Sequence, residues 1–185
     1  MGGSGVYFTQ RITMLKTYTI DKGKHGCNGV SWPVKINATE MSGSFRLYRN
    51  CWYPPNENDW HINKLWGWGT DIWNANSNRI GWRPDLEQYR FQLYAYMHLD
   101  GKWVRSSKLR FDSLGVCSAD ELVYWNIKIN EAQDWRNNEV AYTCGITTVE
   151  RHYPVDVSWG WRQHFYFGGK PTAPWTMTAD IEYAV

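Results

Sequence analysis

Apolar and polar residues alternate with a period of two in many short runs along this chain. In no window of about 11 to 18 residues do apolar side chains keep the spacing of an amphipathic helix. Clusters of Gly, Pro, Asn and Asp separate the runs and are typical of turns. The pattern therefore predicts strands at 14–20, 32–37, 43–49, 64–69, 78–83, 89–99, 102–111, 122–130, 139–148, 163–168 and 175–183.

Short strands without crossover helices between them favour antiparallel pairing. We therefore predict an all-β fold, an antiparallel β-sandwich or jelly roll of roughly 8–11 strands, with a closed barrel as the alternative. A chain of 185 residues fits one domain, so residues 14–185 are expected to form a single β-sandwich domain. Residues 1–13 precede the first predicted strand and are interpreted as a flexible N-terminal arm, a linker or a remnant of cloning.

The clearest local signal is a hairpin at 89–111, because Asp100-Gly101 is a residue pair that suits a tight type I′ turn. Alternation divides the first strand of this hairpin into two faces. The face predicted to be core carries Phe91, Leu93, Ala95, Met97 and Leu99. The opposite face, which is expected to meet solvent or to line a groove, carries Gln92, Tyr94, Tyr96 and His98.

The segment 64–83 concentrates tryptophan among glycine and asparagine. Strict alternation over "KLWGWG" predicts Lys64, Trp66 and Trp68 on one face, and alternation over "NRIGWR" predicts Arg79 and Arg83 on one face. One interpretation is a platform of rings and guanidinium groups that holds a sugar or a nucleobase. The other is that the indoles fill the core of the sandwich and that turn carbonyls accept their N–H groups.

Composition narrows the classes of partner. The chain is 17% aromatic, with 13 Trp and 12 Tyr, and such side chains suit sheets and binding faces. A net charge of +2 with interspersed acids leaves no basic stripe, so a nucleic acid partner is unsupported. The lack of a signal peptide and of an apolar run of about 20 residues favours a cytoplasmic protein that does not bind membranes.

Candidate chemistry is sparse. The four cysteines lie far apart and lack zinc-site spacing, so they are predicted to be unpaired thiols. Asp71 is the single carboxylate in an Asn-rich turn with Asn74, Asn76 and Asn78, which is too little charge to predict a metal site. No known catalytic signature occurs, so no catalytic residue and no cofactor are predicted, and a non-enzymatic role is favoured over an enzyme.

Four short blocks of the chain combine glycine with aromatic and polar residues: "INKLWG" (62–67), "NSNRIGWR" (76–83), "AYMHLDGK" (95–102) and "YFGGKPTAP" (166–174). Together these blocks resemble a family of β-rich proteins from gut Bacteroidetes and related phages. They cover residues 60 to 180 in broken pieces, and this chain is richer in Trp than the family pattern. The resemblance implies a microbial or phage source and a compact sandwich, and it carries no function or site residue to transfer.

The leading hypothesis from the sequence is a non-enzymatic β-sandwich that binds a small ligand, with carbohydrate the favoured class. One alternative is a phage protein that sequesters a nucleotide immune signal in the cytoplasm of its bacterial host. Another is a structural virion or assembly component, which would form a homo-oligomer. The residues predicted to bind the ligand are Trp66, Trp68, Arg79, Arg83, Tyr94, Tyr96 and His98.

Overall fold

The fold is nearly all β. The computed structural model describes residues 15–28, 35–36, 39–55, 61–70, 76–104, 112–157 and 160–184, so the predicted arm at 1–13 lies outside these ranges. Within them the strands are β1 (Lys16–Ile20), β2 (Lys35–Ile36), β3 (Glu40–Leu47), β4 (Asn63–Gly69), β5 (Ser77–Pro84), β6 (Arg90–Leu99), β7 (Lys102–Val104), β8 (Ser113–Ser118), β9 (Val123–Asn130), β10 (Glu139–Cys144), β11 (Thr147–His152), β12 (Gly160–Gln163) and β13 (Met177–Ala184).

The strands form two antiparallel sheets, as the predicted sandwich requires. The first sheet has the order β1-β13-β3-β9-β10-β11. The second sheet has the order β2-β12-β4-β5-β6, and both β7 and β8 pair with β6. Strand β8 pairs with the first half of β6 and β7 pairs with the last residues of β6, so the two short strands share one edge.

The apolar core lies between the two sheets. The ring of Tyr18 in β1 meets the indole of Trp66 in β4 edge-on, with 5.2 Å between the ring centroids. The hydroxyl of Tyr142 in β10 donates a hydrogen bond to Oδ1 of Asn78 in β5. Contacts of both kinds join the first sheet to the second, so apolar packing and a buried polar bond hold the layers together.

Most predicted strands are present, and the differences have local causes. The strand predicted at 139–148 is a hairpin, because Gly145 adopts a φ of 56° and turns the chain between β10 and β11. Strand β8 follows the segment 105–111, which lies outside the described residues, and was missed because its sequence does not alternate clearly. The strand predicted at 163–168 begins earlier, at Gly160, and ends at Gln163.

The predicted hairpin turn is confirmed. Asp100 and Gly101 adopt φ values of 51° and 74°, and Leu99 pairs with Lys102 across the turn. The predicted core face of β6 is also confirmed, since its apolar residues from Phe91 to Met97 are buried against the core and Leu99 is half-buried. The turn therefore sets the register that assigns the two faces of β6.

The prediction for the faces of β4 is wrong. Alternation predicts Lys64, Trp66 and Trp68 on one face, but the structure separates them. Lys64 lies on the outer face of the second sheet, whereas Trp66 and Trp68 are almost completely buried in the core. Both indoles are therefore out of reach of a ligand on the surface.

A β-bulge causes this separation. Lys64 pairs with Gly81 and Gly67 pairs with Arg79, so two residues of β4 face one residue of β5. The extra residue shifts the alternation by one position, which turns the side chains after the bulge to the opposite face. The side chain of Trp66 therefore points into the core while that of Lys64 stays on the outer face.

The four cysteines, Cys27, Cys51, Cys117 and Cys144, are free thiols. Three are buried, and burial raises the pKa of Cys51 and of Cys117 to about 12. Cys27 is half-buried, and burial raises its pKa to about 11. The thiols therefore stay protonated in the folded chain at neutral pH. In the described ranges, no helix has the length and apolar character needed to cross a membrane.

Candidate functional site

The outer face of the second sheet, which points away from the core, combines small, cationic and aromatic residues. Pairing of β5 with β6 places Arg79 beside Tyr96 on this face, and pairing with β4 places Gly67 on the other side of Arg79. A Cβ atom on Gly67 would come within 2.6 Å of the Arg79 Cα and 2.8 Å of its Cγ. Glycine at position 67 therefore lets the Arg79 side chain cross β4 close to the backbone.

This face contains a cavity of about 270 Å³, which we call the Lys64 pocket. It is smaller than most ligand sites, which measure about 300–1,000 Å³. Its walls come from β4, β5, β6, the hairpin turn and the segment after β12. The lining residues are Lys64, Ser77, Arg79, Tyr96, His98, Gly101 and Tyr166. Lys64 and Arg79 are basic, His98 is a titratable base, and none of the seven carries a carboxylate.

The Arg79 guanidinium is buried and is held by backbone carbonyl groups. Its Nε and Nη2 donate to the Leu65 carbonyl oxygen at 3.4 and 3.1 Å, and Nη2 also donates to the His164 carbonyl. Burial lowers the pKa of Arg79 to about 10, so the group is charged at neutral pH. Guanidinium has five N–H donors, and those on Nη1 have no acceptor within the ranges that the structure describes.

Lys64 lies over two aromatic rings. Its Nζ is 4.7 Å from the centroid of the Tyr96 ring and 5.8 Å from that of the Tyr166 ring. The backbones of Lys64 and Tyr166 exchange two hydrogen bonds of 2.9 Å, which fix their side chains on the same face. Burial and the nearby charge of Arg79 lower the pKa of Lys64 to about 7. Among described side chains, no carboxylate forms an ion pair with it.

The aromatic walls are supported from behind. The Tyr96 ring stacks on Trp103 with 5.7 Å between centroids, and Tyr166 stacks on His25 at 5.4 Å. The Tyr96 hydroxyl and His98 Nε2 are 2.7 Å apart and share a hydrogen bond. Burial raises the pKa of Tyr96 to about 12, so its hydroxyl keeps its proton at neutral pH. These contacts hold both tyrosine rings in defined orientations.

The structure brings together three of the seven residues predicted to bind a ligand. Arg79, Tyr96 and His98 line the Lys64 pocket. Tyr94 lies on the same face but is buried in a small cluster with Ile62 and Tyr96. Arg83 shares the outer face with Arg79 without lining the pocket. Trp66 and Trp68 lie in the core for the reason given above.

Sequence reasoning missed Lys64, Ser77, Gly101 and Tyr166 as pocket residues. Ser77 is two residues before Arg79, so alternation along β5 places it on the same face and could have found it. Lys64 was placed with the wrong neighbours because the bulge is invisible in the sequence of β4. Tyr166 is distant in the chain, and its bridge to Lys64 brings it into the pocket.

A smaller cavity of about 190 Å³ adjoins the Lys64 pocket and shares Arg79 and Tyr166 with it. His164 lines this cavity, and burial is the main cause that lowers its pKa to about 4. Its ring meets Trp66 edge-on at 4.9 Å, and neither ring nitrogen has a hydrogen-bond partner in the described part of the chain. His164 is therefore neutral at pH 7 and adds no charge to the site.

Neither a scan against models of protein families nor a search of curated proteins found a match to this chain. The resemblance to the Bacteroidetes and phage family therefore stays an expectation, and function has to be inferred from the pocket itself.

Proposed function

We propose that this chain is a small-molecule-binding β-sandwich whose Lys64 pocket takes a small organic anion, such as a carboxylate or a phosphate ester. The observation that carries the proposal is the presence of Lys64 and Arg79 in one pocket to which the described residues contribute no carboxylate. Burying a charge is costly unless an opposite charge or hydrogen bonds compensate it. Carbonyl oxygens compensate part of the Arg79 charge, and an anion would supply the opposite charge that no described residue of the pocket provides.

The geometry suits a ligand with an anionic end and a flat or apolar body. Arg79 would donate from Nη1, and Lys64 would contribute its ammonium group when protonated. The rings of Tyr96 and Tyr166 offer flat surfaces beside these cations. With about 270 Å³, the pocket holds the anionic end of a ligand, and a larger body would extend over the exposed ring of Tyr166.

Neutral carbohydrate, which the sequence favours, loses most of its support because Trp66 and Trp68 are buried. A sugar acid or a sugar phosphate belongs to the proposed class of ligand. The nucleotide alternative keeps its support, since a phosphate suits the cations and a base suits the tyrosine rings. A role as a virion or assembly component, with the homo-oligomer that it implies, stays a prediction that a mass measurement in solution can test.

Thermal unfolding in the presence of a ligand panel tests the proposal. The panel contains inorganic phosphate, adenosine monophosphate, glyoxylate and glucose, each titrated at low and at high ionic strength. A bound ligand stabilises the fold in proportion to RT ln(1 + [L]/Kd). We expect one or more of the anions to raise the melting temperature, the effect to shrink with salt, and glucose to have none.

Matched variants locate the binding. Lys64→Gln removes a pocket cation, whereas Lys102→Gln removes an exposed lysine of β7 that does not line the pocket. We expect Lys64→Gln to weaken the stabilisation by anions about tenfold or more in Kd, and Lys102→Gln to leave it unchanged. Equal effects of the two variants, a response to glucose that matches the response to anions, or no response to any anion would contradict the proposal.

A further inference from the structure

We propose that Lys64 is a nucleophilic amine that forms a reversible imine with a carbonyl group of the anionic ligand. The inference rests on the proposed anion site and narrows its ligand to an anion that bears an aldehyde or ketone, such as a 2-oxo acid or an aldehyde phosphate. Imine formation requires a neutral amine, a held carbonyl and a route for protons. The Lys64 pocket contains residues for all three.

The amine of Lys64 lies beside two rings that line the pocket. Lys64 itself lines the pocket, its Nζ is near the Tyr96 and Tyr166 rings, and a Cβ atom on Gly168 would come within 2.7 Å of Nζ. Because Gly168 has no side chain, the Lys64 Nζ can occupy this position on the outer face. Arg79 lines the same pocket and would hold the anionic group, so one ligand could reach both cations.

The surroundings favour the neutral form of the amine. Among the described residues, the titratable and charged groups that line the pocket with Lys64 are Arg79 from β5, Tyr96 and His98 from β6, and Tyr166 from the segment after β12. A neighbouring cation and a buried environment both disfavour an ammonium group, and they lower the pKa of Lys64 to about 7. About half of the Lys64 side chains would therefore be unprotonated at neutral pH, against less than about one in a thousand for a lysine in water.

The reaction balances without a further reactant. The lone pair of Nζ attacks the carbonyl carbon, and one amine proton passes to the carbonyl oxygen to give a carbinolamine. The hydroxyl group then takes up a proton and leaves as water while Nζ loses its second proton and forms the C=N bond. Both amine hydrogens thus leave with the carbonyl oxygen as one water molecule, and no oxidation or reduction occurs.

The Tyr96–His98 pair provides a route for these protons. The hydroxyl of Tyr96 and Nε2 of His98 share a 2.7 Å hydrogen bond, and both residues line the pocket. Such a pair can give a proton to the departing hydroxyl group and receive one from Nζ. Tyr96 and His98 therefore assist the dehydration step, while Lys64 alone makes the covalent bond.

Reductive trapping tests the imine on the intact chain. The protein is incubated with glyoxylate and cyanoborohydride, which converts an imine into a stable carboxymethyl-lysine, and modified lysines are located by peptide mass spectrometry. We expect Lys64 to be modified at least about tenfold faster at pH 7 than the exposed Lys102 and Lys128. The modification of Lys64 should level off at a lower pH than that of exposed lysines, and inorganic phosphate should compete with it.

Two variants test the assigned roles. Lys64→Arg keeps a cation, so it should still bind phosphate but should yield no trapped product at position 64. Tyr96→Phe keeps the ring and removes the hydroxyl, so it should bind phosphate as the wild type does while trapping glyoxylate several-fold more slowly. An unchanged trapping rate in Tyr96→Phe would remove the proton route from the proposal.

The outcomes separate the imine from anion binding. If phosphate binds in the pocket and Lys64 is modified no faster than Lys102, the anion site stands and the imine is rejected. If Lys64 is trapped selectively and no anion stabilises the fold, the amine is reactive and the proposed anion-binding function is rejected. If all lysines are modified at similar rates and no anion stabilises the fold, both the imine and the anion-binding function are rejected.

Discussion

At the scale of single residues, the pocket depends on glycines that make room for cations. Gly67 lies under Arg79 and Gly168 lies beside Lys64, and a Cβ atom at either position would collide with the neighbouring chain. The two long basic side chains therefore occupy space that side chains at 67 and 168 would otherwise fill. This arrangement makes the glycines as important to the site as the residues that would touch a ligand.

We expect Gly67→Ala to destabilise the fold by about 1–3 kcal/mol or more, because the added methyl group meets backbone atoms of β5 that cannot rotate away. The matched control is Gly26→Ala, since a Cβ atom at Gly26 has nothing within 4 Å. That variant should stay within about 0.5 kcal/mol of the wild type. Urea unfolding measures both, and similar values for the two variants would show that β4 and β5 do not approach as closely as described.

Unbroken alternation predicts which residues share the outer face, but it does not say which of them line the pocket. Arg79, Tyr96 and His98 were found because β5 and β6 run without interruption from end to end. Trp66 was placed on the wrong face because a bulge depends on how β4 pairs with β5, which no local pattern reveals. Tyr166 could not be found, because its contact with Lys64 arises only when distant segments meet.

At the scale of elements, the turn of the β6–β7 hairpin forms part of the pocket wall and is hydrogen-bonded to the residue before β5. Gly101 lines the pocket, and the backbone N–H of Asp100 donates to the side-chain oxygen of Asn76 at 2.9 Å, just before β5 begins. The turn is thus tied to the strand that carries Arg79. Sequence predicted this element best because Asp-Gly specifies both the turn type and the register of the strands.

We expect Gly101→Ala to destabilise the fold by about 1–2 kcal/mol, because a left-handed backbone is strained in alanine. The φ of Gly101 is +74° and a Cβ atom there has nothing within 4 Å, so a steric clash contributes no cost. Gly101→Asn is the informative comparison, since asparagine tolerates this conformation and should cost less than alanine. Chemical unfolding measures the stability of both variants. If Gly101→Asn is no more stable than Gly101→Ala, a left-handed conformation at this position is contradicted.

At the scale of the whole molecule, the apolar core and the proposed binding pocket lie on opposite faces of the second sheet. The first sheet and the inner face of the second sheet supply the apolar core, and the outer face of the second sheet carries Lys64 and Arg79, which have no carboxylate partner among the described residues. All-β class and sandwich architecture follow from alternation and turn residues, which is why both are predictable from sequence. The charge of the pocket depends on which distant side chains meet in the folded chain, so it cannot be predicted from the sequence.

We expect the pocket to make stability depend on pH through Lys64. Its pKa is about 7 in the folded chain and about 10.4 in an unfolded one. Between these values the unfolded chain binds the extra proton, so the free energy of unfolding rises with pH by at most about 1.4 kcal/mol per unit. Lys64→Met should abolish this rise between pH 7 and 8.5 in urea unfolding, so equal slopes in the two proteins would show that Lys64 titrates normally.

The informative quantity is the difference between wild type and Lys64→Met in how the free energy of unfolding changes with pH. Other groups titrate in the same pH range, so neither slope is informative by itself. The buried thiols of Cys51 and Cys117 have raised pKa values, so they oppose the trend as unfolded thiols ionise above about pH 8.5. Their contribution is the same in both proteins and cancels in the difference. Saturating phosphate should flatten the rise in the wild type, because a bound anion favours the ammonium form of Lys64.

The bulge in β4 has a consequence for how this strand tolerates changes in length during evolution. Deleting Trp66 would leave Leu65 opposite Ile80 in a regular ladder, with Lys64 still outward and Trp68 still inward. Deleting Trp68 instead would remove an indole from the core and would move Gly69 from its place opposite Ser77 to a place opposite Asn78. Relatives that lack one residue at the bulge can therefore keep the pocket, and the position marks where homologous strands of unequal length should be aligned.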